Sequence, residues 1–384
     1  MSSTAALNTS AYADSANTQQ VSYNYWYNSS TGYTDENVHT RQMEKLDRGL
    51  IAIKTDGGVY LSWRLFDSED NIFGSADKNV SFNVYRDGKK ISEVATKTNY
   101  VDSTVGTNYS VAPVINGVEG EKCDAVTVYN NSYFDIPLSK PDDETIYDPS
   151  GNELATYSFF PADCSTGDVD GDGEYEIIVK WTSSEHDVGS PGDPAYSGTI
   201  HLAAYKLDGT KLWKNDIALG KNVYSSAHTL QFLVYDFDGD GKSEVMCQTS
   251  LGSKDGQGEY VSNAAQTDEE IKAITDEENS TADYRGYGRI TEGKEFLTVF
   301  NGETGVAMDT INLPTTRGSE NGVDYGDDFG NRSNRFVSDI AYLDGEKPYA
   351  IYLRGYYFGR NGKQRTSIAG ISWDGTASVS YTHL

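Results

Sequence analysis

Two short stretches of this chain carry carboxylates at alternate positions. The first reads Asp168-x-Asp170-x-Asp172-Gly173-Glu174-x-Glu176, and the second Asp236-x-Asp238-x-Asp240-Gly241-Lys242-x-Glu244. Calcium binds about six to eight oxygen ligands. In such a loop the carboxylates at positions 1, 3 and 5 converge, and the glycine at position 6 permits a sharp turn. Position 7, here Glu174 or Lys242, supplies its backbone carbonyl, and position 9 closes the site with Glu176 or Glu244. A lysine at position 7 is compatible because only its carbonyl is used. A solvated acidic turn is the bland alternative, and the spacing favours the metal. The ligands of each loop could fill a coordination sphere by themselves, so the expected role is structural rather than catalytic.

The segments after the loops, Ile177 to Trp181 and Val245 onward, read as strands, unlike the helices that flank an EF-hand. From Tyr157 a unit recurs: acidic loop, buried strand, then a hairpin with a turn. The first hairpin runs from Leu202 to Trp213, the second from Leu297 to Met308. A degraded third copy covers Ile340 to Leu353, with a hairpin from Ile368 to Thr376. Repeated four-stranded units predict propeller blades. Asn263 to Glu278 reads as an acidic insertion, either a surface helix or a disordered loop. Three blades do not close a propeller, and Ser378 to Leu384 does not continue the pattern. The chain is therefore expected to be part of a longer protein.

Upstream, residues 41–135 predict a small β-sandwich of fibronectin type III size, with hairpins at Asp56-Gly57-Gly58, Arg86-Asp87-Gly88-Lys89 and Asn116-Gly117. Residues 1–40 read as a polar leader or linker, and residues 136–384 as the partial propeller. The whole chain is thus expected to be all-β.

Composition narrows the chemistry. The 384 residues carry 58 acidic against 31 basic side chains, a formal charge of −27. That field repels nucleic acid and anionic membranes. No apolar run is long enough to span a bilayer, and the N-terminus lacks the apolar core of a signal peptide. Cys123, Cys164 and Cys247 are odd in number and lack CxxC spacing, which disfavours a disulfide framework or a thiolate zinc site. The five histidines are scattered and assemble no nucleophilic triad. No phosphate-binding glycine motif follows a strand.

The segments Arg41 to Leu50, Phe82 to Arg86, Gly167 to Glu176, Ala204 to Thr210, Val234 to Lys242, Ala282 to Arg285, Gly330 to Arg332, Ala341 to Gly345 and Arg354 to Tyr357 resemble, in order, the bacterial rhamnogalacturonan lyases of polysaccharide lyase family 11. The resemblance implies an N-terminal β-domain followed by an eight-bladed propeller that holds calcium, of which about the first half lies here. It implies a secreted, extracellular or periplasmic bacterial enzyme that cleaves the galacturonate–rhamnose backbone of pectin by β-elimination, and a monomer is expected. It also points to His228, within Ser226-Ala-His-Thr-Leu-Gln-Phe232, and to Arg332 and Arg354 as substrate-pocket residues. For the arginines a structural ion pair is the competing reading. Asp163 matches an acidic position before the first loop and could add a metal ligand.

The chain departs from the family at Ala162, where an asparagine is usual, and at Thr182, where an aspartate follows the Lys-Trp pair. Tyr224-Ser-Ser226 replaces the family's Arg-Ala-Gly. These positions leave two readings open. One is a rhamnogalacturonan lyase. The other is a non-catalytic calcium-loaded propeller that binds glycan or protein.

Overall fold

The structure, a computed structural model, describes residues 19–24, 27–28, 33–34, 38–44, 46–66, 69, 79–147, 152–183, 198–220, 223, 229–261, 294–317, 324–326, 332–356 and 365–383. The acidic insertion Asn263 to Glu278 lies outside them. The fold is all-β, and the described residues contain no α-helix; none offers a helix long and apolar enough to cross a membrane. Two compact units cover Met1–Asp135 and Ile136–Leu384.

In the first unit the stretch read as a leader contains paired strands, Gln19–Asn24 antiparallel to Val38–Met43. Beyond it a three-stranded sheet is built from Ile51–Thr55, Gly58–Ser62 and Asn99–Asp102. A five-stranded sheet is built from Val80–Arg86, Lys89–Ala95, Asn108–Ile115, Val118–Glu119 and Val126–Thr127. The two share a core that includes Leu61, Trp63, Phe82, Val84, Tyr109 and Val111. The hairpin turns follow from residue type. Asp87 and Gly88 both have positive φ (49° and 78°), as do Asn116 and Gly117 (52° and 80°). Two such residues in succession give a turn whose twist matches that of the flanking strands.

The second unit holds a hairpin, Glu144–Tyr147 with Glu153–Tyr157, and three four-stranded antiparallel sheets whose strands follow one another in chain order. The first sheet is Phe159–Gly167, Glu176–Ser183, His201–Tyr205 and Ile217–Ala218. The second is Phe232–Tyr235, Glu244–Ser250, Glu295–Phe300 and Ala307–Asn312. The third is Phe336–Ala341, Tyr349–Arg354, Ser367–Trp373 and Ser378–His383. The first strand of each sheet packs against the first strand of the next. The sheets therefore share an inner side and stack face to face.

Alternation along the strands builds the stack. Val234 and Val245 face the first sheet, joining Ile178, Leu202, Ala204 and Trp213. Their neighbours Leu233 and Met246 face the third, joining Tyr352, Ile371 and Trp373. Successive side chains of a strand point to opposite faces, so a sheet covered on both sides shows no polar alternation. All of Glu244–Ser250 is accordingly buried. Trp213 Nε1 donates to Gly302 O (2.7 Å), and Tyr352 OH to Met246 O (2.6 Å), pinning each interface with a buried hydrogen bond.

One expectation is corrected. Ser378–His383 does continue the repeat: it pairs with Ser367–Trp373 and completes the third sheet. Ladder hydrogen bonds come from the main chain, so an outer strand needs no apolar run to pair.

Candidate metal centres and the strand ends around them

Each acidic loop joins the first two strands of a sheet and is shaped by its own carboxylates. In the first, Asp168 Oδ1 accepts from Gly171 N (2.7 Å) and Oδ2 from Gly173 N (2.9 Å). Asp170 accepts from Asp172 N, and Asp172 from Glu174 N. Glu176 reaches back to Val169 N at 3.0 Å. The second loop repeats the pattern. Asp236 accepts from Gly239 N and Gly241 N, Asp238 from Asp240 N, Asp240 from Lys242 N, and Glu244 from Phe237 N. Gly173 and Gly241 both sit at φ 92°, a conformation that costs any L side chain strain.

This wrapping gathers carboxylate oxygens. Asp168, Asp170 and Glu176 bring one oxygen each within 4.8 Å of one another, and so do Asp236, Asp238 and Glu244. Gathering like charge in a partly desolvated place favours protonation. Burial, reinforced by the neighbouring aspartates, pushes Glu176 up to about 7, Asp236 to about 7 and Glu244 to about 9. Asp168 and Asp238 are raised by the same causes. Hard oxygen donors gathered at one point fit a hard divalent cation. The two clusters could therefore hold a metal ion.

The loops differ in what surrounds them. Lys206 Nζ reaches Asp170 (2.6 Å) and Asp172 (2.9 Å), so the first loop has a protein cation against two of its acids. In the second, Lys242 turns away to Glu303 (2.6 Å). Asp172 and Asp240 lie outside the three-carboxylate clusters and serve as turn acceptors for the residues at position 7. Among the described residues the third repeat gathers no comparable cluster. Its Asp344 accepts from Glu346 N, Lys347 N and Tyr349 OH instead.

The remaining expected residues scatter. Asp163 is not brought to the first loop. It lies exposed on Phe159–Gly167, opposite Lys180, and accepts from the adjacent Cys164 N. A strand rises about 3.3 Å per residue, so an extended run of five residues separates it from Asp168. His228 and the altered Tyr224–Ser226 lie outside the described residues. Arg354 is completely buried, so its guanidinium faces protein rather than solvent. It grips Glu295 with both terminal nitrogens and donates to Thr315 O and Ser333 O. Arg332 is half-exposed at the start of the 3-10 turn Arg332–Asn334, which Arg354 steadies through Ser333.

Two of the positions where the chain departs from the family, Ala162 and Thr182, lie near one another at the strand ends away from the first loop. Ala162 is the extra residue of a bulge between Pro161, opposite Trp181, and Asp163, opposite Lys180. Thr182 is fully buried nearby, and its hydroxyl has no hydrogen-bond partner among the described residues. Lys180, also fully buried, donates to Thr229 O (2.8 Å) and Leu230 O (3.3 Å). Burial lowers its pKa to about 8. Sequence reasoning missed Glu295, Lys206 and the role of Lys180, because each acts on a partner distant in the chain.

The same fold occurs in known proteins. A model of "Rhamnogalacturonan lyase family 11, C-terminal domain" matches residues 133–377, and "Rhamnogalacturonan I lyases beta-sheet domain" matches residues 41–129. The chain belongs to rhamnogalacturonan lyase family 11.

Within the family, it is 45% identical over 321 residues to the rhamnogalacturonan endolyase YesW of Bacillus subtilis (strain 168), covering 83% of this chain and 46% of that protein. It is 42% identical over 323 residues to the rhamnogalacturonan exolyase YesX of the same organism, covering 83% and 47%. The crystal structure of YesW superposes with a TM-score of 0.69 at 42% identity, covering 89% of this chain and 53% of that one. A family 11 rhamnogalacturonan lyase from Bacillus licheniformis gives 0.68 at 42% identity, with the same coverage. The chain thus spans about half the length of these rhamnogalacturonan lyases.

Proposed function

We propose that the protein is a rhamnogalacturonan lyase acting outside the cytoplasm as a monomer. It cleaves the galacturonate–rhamnose backbone of pectin by β-elimination, with calcium in the two acidic loops. The observation that carries this reading is agreement along 83% of the chain with two enzymes named for that polysaccharide. The stacked four-stranded sheets support a propeller, eight-bladed on the family resemblance.

The reaction sets clear demands. A base takes the weakly acidic C5 proton of galacturonate, the C4–O bond breaks as the C4–C5 double bond forms, and the departing oxygen receives a proton. Positive charge beside the substrate carboxylate stabilises the developing negative charge. Of the two arginines, the half-exposed Arg332 is the candidate to meet that carboxylate, with the buried Arg354 supporting the turn that carries it. When bound, calcium neutralises the gathered carboxylates and locks each loop to its strand. These loops are then structural pegs, and Lys180 holds the carbonyls of the segment that follows His228.

A second reading, glycan binding without cleavage, draws on Ala162 and Thr182. Neither supplies the amide or carboxylate usual in the family, and among the described residues the buried Thr182 hydroxyl meets no partner. Incubating the protein and calcium with rhamnogalacturonan, and following the ultraviolet absorbance of the unsaturated product, separates the two. Rising absorbance supports the lyase. Flat absorbance with retained polysaccharide binding overturns it in favour of the second reading.

A further inference from the structure

The outer edge of the first sheet borders a cleft of about 520 Å³. Three separate chain segments form its walls. One is Ser139–Asp142, tied down by Tyr205 OH, which donates to Ser139 O (2.9 Å). The second is the connection 211–216 between the last two strands of the first sheet. The third is a hairpin over residues 253–261 that extends from the second sheet. Its Lys254 exchanges main-chain hydrogen bonds with Ala218 (2.8 and 2.9 Å), adding to the edge of the first sheet, and Asn215 N donates to Gly256 O (2.9 Å). The cleft is therefore preformed by main-chain contacts.

Its charge is the reverse of the molecule's. The chain carries 58 acidic residues against 31 basic. The lining carries four lysines, Lys140, Lys211, Lys214 and Lys254, against Asp142 and Asp216. Asp143 pairs with Lys140 (2.5 Å) and Asp216 with Lys211. Among the described residues no carboxylate pairs with Lys214 or Lys254, and the Lys254 ammonium lies 4.9 Å over the Tyr260 ring. Two ammonium groups from different segments, unpaired among the described residues, line one polar concavity with Asp142, where His201 and Asn215 add hydrogen-bonding groups. The volume falls within the range of small-ligand sites, about 300–1,000 Å³.

We propose that this cleft binds an acidic oligosaccharide, with a uronate carboxylate held by Lys214 and Lys254 and sugar hydroxyls by Asn215 and His201. The choice of uronate as the anion rests on the reading of the protein as a rhamnogalacturonan lyase. The cleft gives the strongly acidic chain a local foothold for a polyanion its overall field would repel.

The test uses a galacturonate–rhamnose disaccharide whose galacturonate C4 hydroxyl is free, so it has no bond to eliminate. Calorimetric titration compares the intact protein with its K214A/K254A variant, and a neutral disaccharide serves as control. The proposal expects binding that weakens about tenfold in the variant and falls as salt rises, with an unchanged melting temperature. Equal affinity of the two proteins, or equal binding of the neutral disaccharide, overturns it. A protein that fails to cleave rhamnogalacturonan yet shows lysine-dependent binding refutes the lyase reading and leaves the cleft standing. Cleavage with no lysine dependence of binding refutes the cleft alone.

Discussion

Glu295 receives both terminal nitrogens of Arg354, at 2.8 and 2.9 Å, deep between the second and third sheets of the C-terminal unit. Arg317 makes a third contact at 3.0 Å. Glu295 opens a strand of the second sheet and Arg354 ends a strand of the third, so one buried carboxylate ties the two together.

Replacing Glu295 with glutamine leaves that tie without its charge and Arg354 uncompensated. Breaking one side of a buried pair costs about 3–5 kcal/mol. E295Q is expected to shift the urea midpoint down by that equivalent, and an unchanged midpoint would contradict the assignment.

The same pair predicts an acid limb. Burial alone would raise Glu295, but Arg317 and Arg354 overcome it and hold the group down to about 2, from an ordinary 4.5. A depressed acid stabilises the fold above its unfolded value, and that contribution is lost as pH falls through the folded value. Urea stability should decline between about pH 4.5 and pH 2, and the decline should be smaller in E295Q. Identical acid limbs in the two proteins would remove Glu295 as its source.

Calcium should displace protons. With Glu176 and Asp236 near 7 and Glu244 near 9 in the metal-free loops, part of the population is protonated at pH 7. A cation binds the ionised forms and expels those protons. Titration in buffers of different ionisation enthalpy should give apparent enthalpies that differ by a net proton release. Buffer-independent enthalpies would argue against these ligands.

Lys206 competes for Asp170 and Asp172. K206M is expected to tighten metal binding at the first loop several-fold and leave the second unchanged. Weaker binding in K206M would show the lysine to be a scaffold of the loop instead.

A glycine contrast tests the stacking of the sheets. A Cβ on Gly302 would lie 1.9 Å from Ser243 O and 2.8 Å from Val169 Cβ, whereas one on Gly88 meets open space. G302A should lose more than about 2 kcal/mol. G88A, paying only for its positive φ, should lose about 1 kcal/mol. Equal losses would contradict the packing described.

The loops were legible because everything that shapes them lies within nine residues: alternate acids, a glycine, a closing glutamate. The hairpins at Asp87-Gly88 and Asn116-Gly117 were legible for the same reason. Long-range partnerships were not. Nothing around Arg354 announces that Glu295 will bury it, and Lys206 meets Asp170 only because the third strand of the sheet lies beside the second. Asp163 misled because closeness in sequence is lost along an extended strand. Ser378–His383 escaped notice because pairing on an outer strand is made by main chain rather than by an apolar pattern.

The account turns on the two loops being separate metal sites closed by Glu176 and Glu244. Equilibrium dialysis with radioactive calcium measures this directly, comparing the protein with E176Q, E244Q and the double variant. The account predicts one bound equivalent fewer in each single variant and two fewer in the double. Undiminished calcium in all three would contradict it.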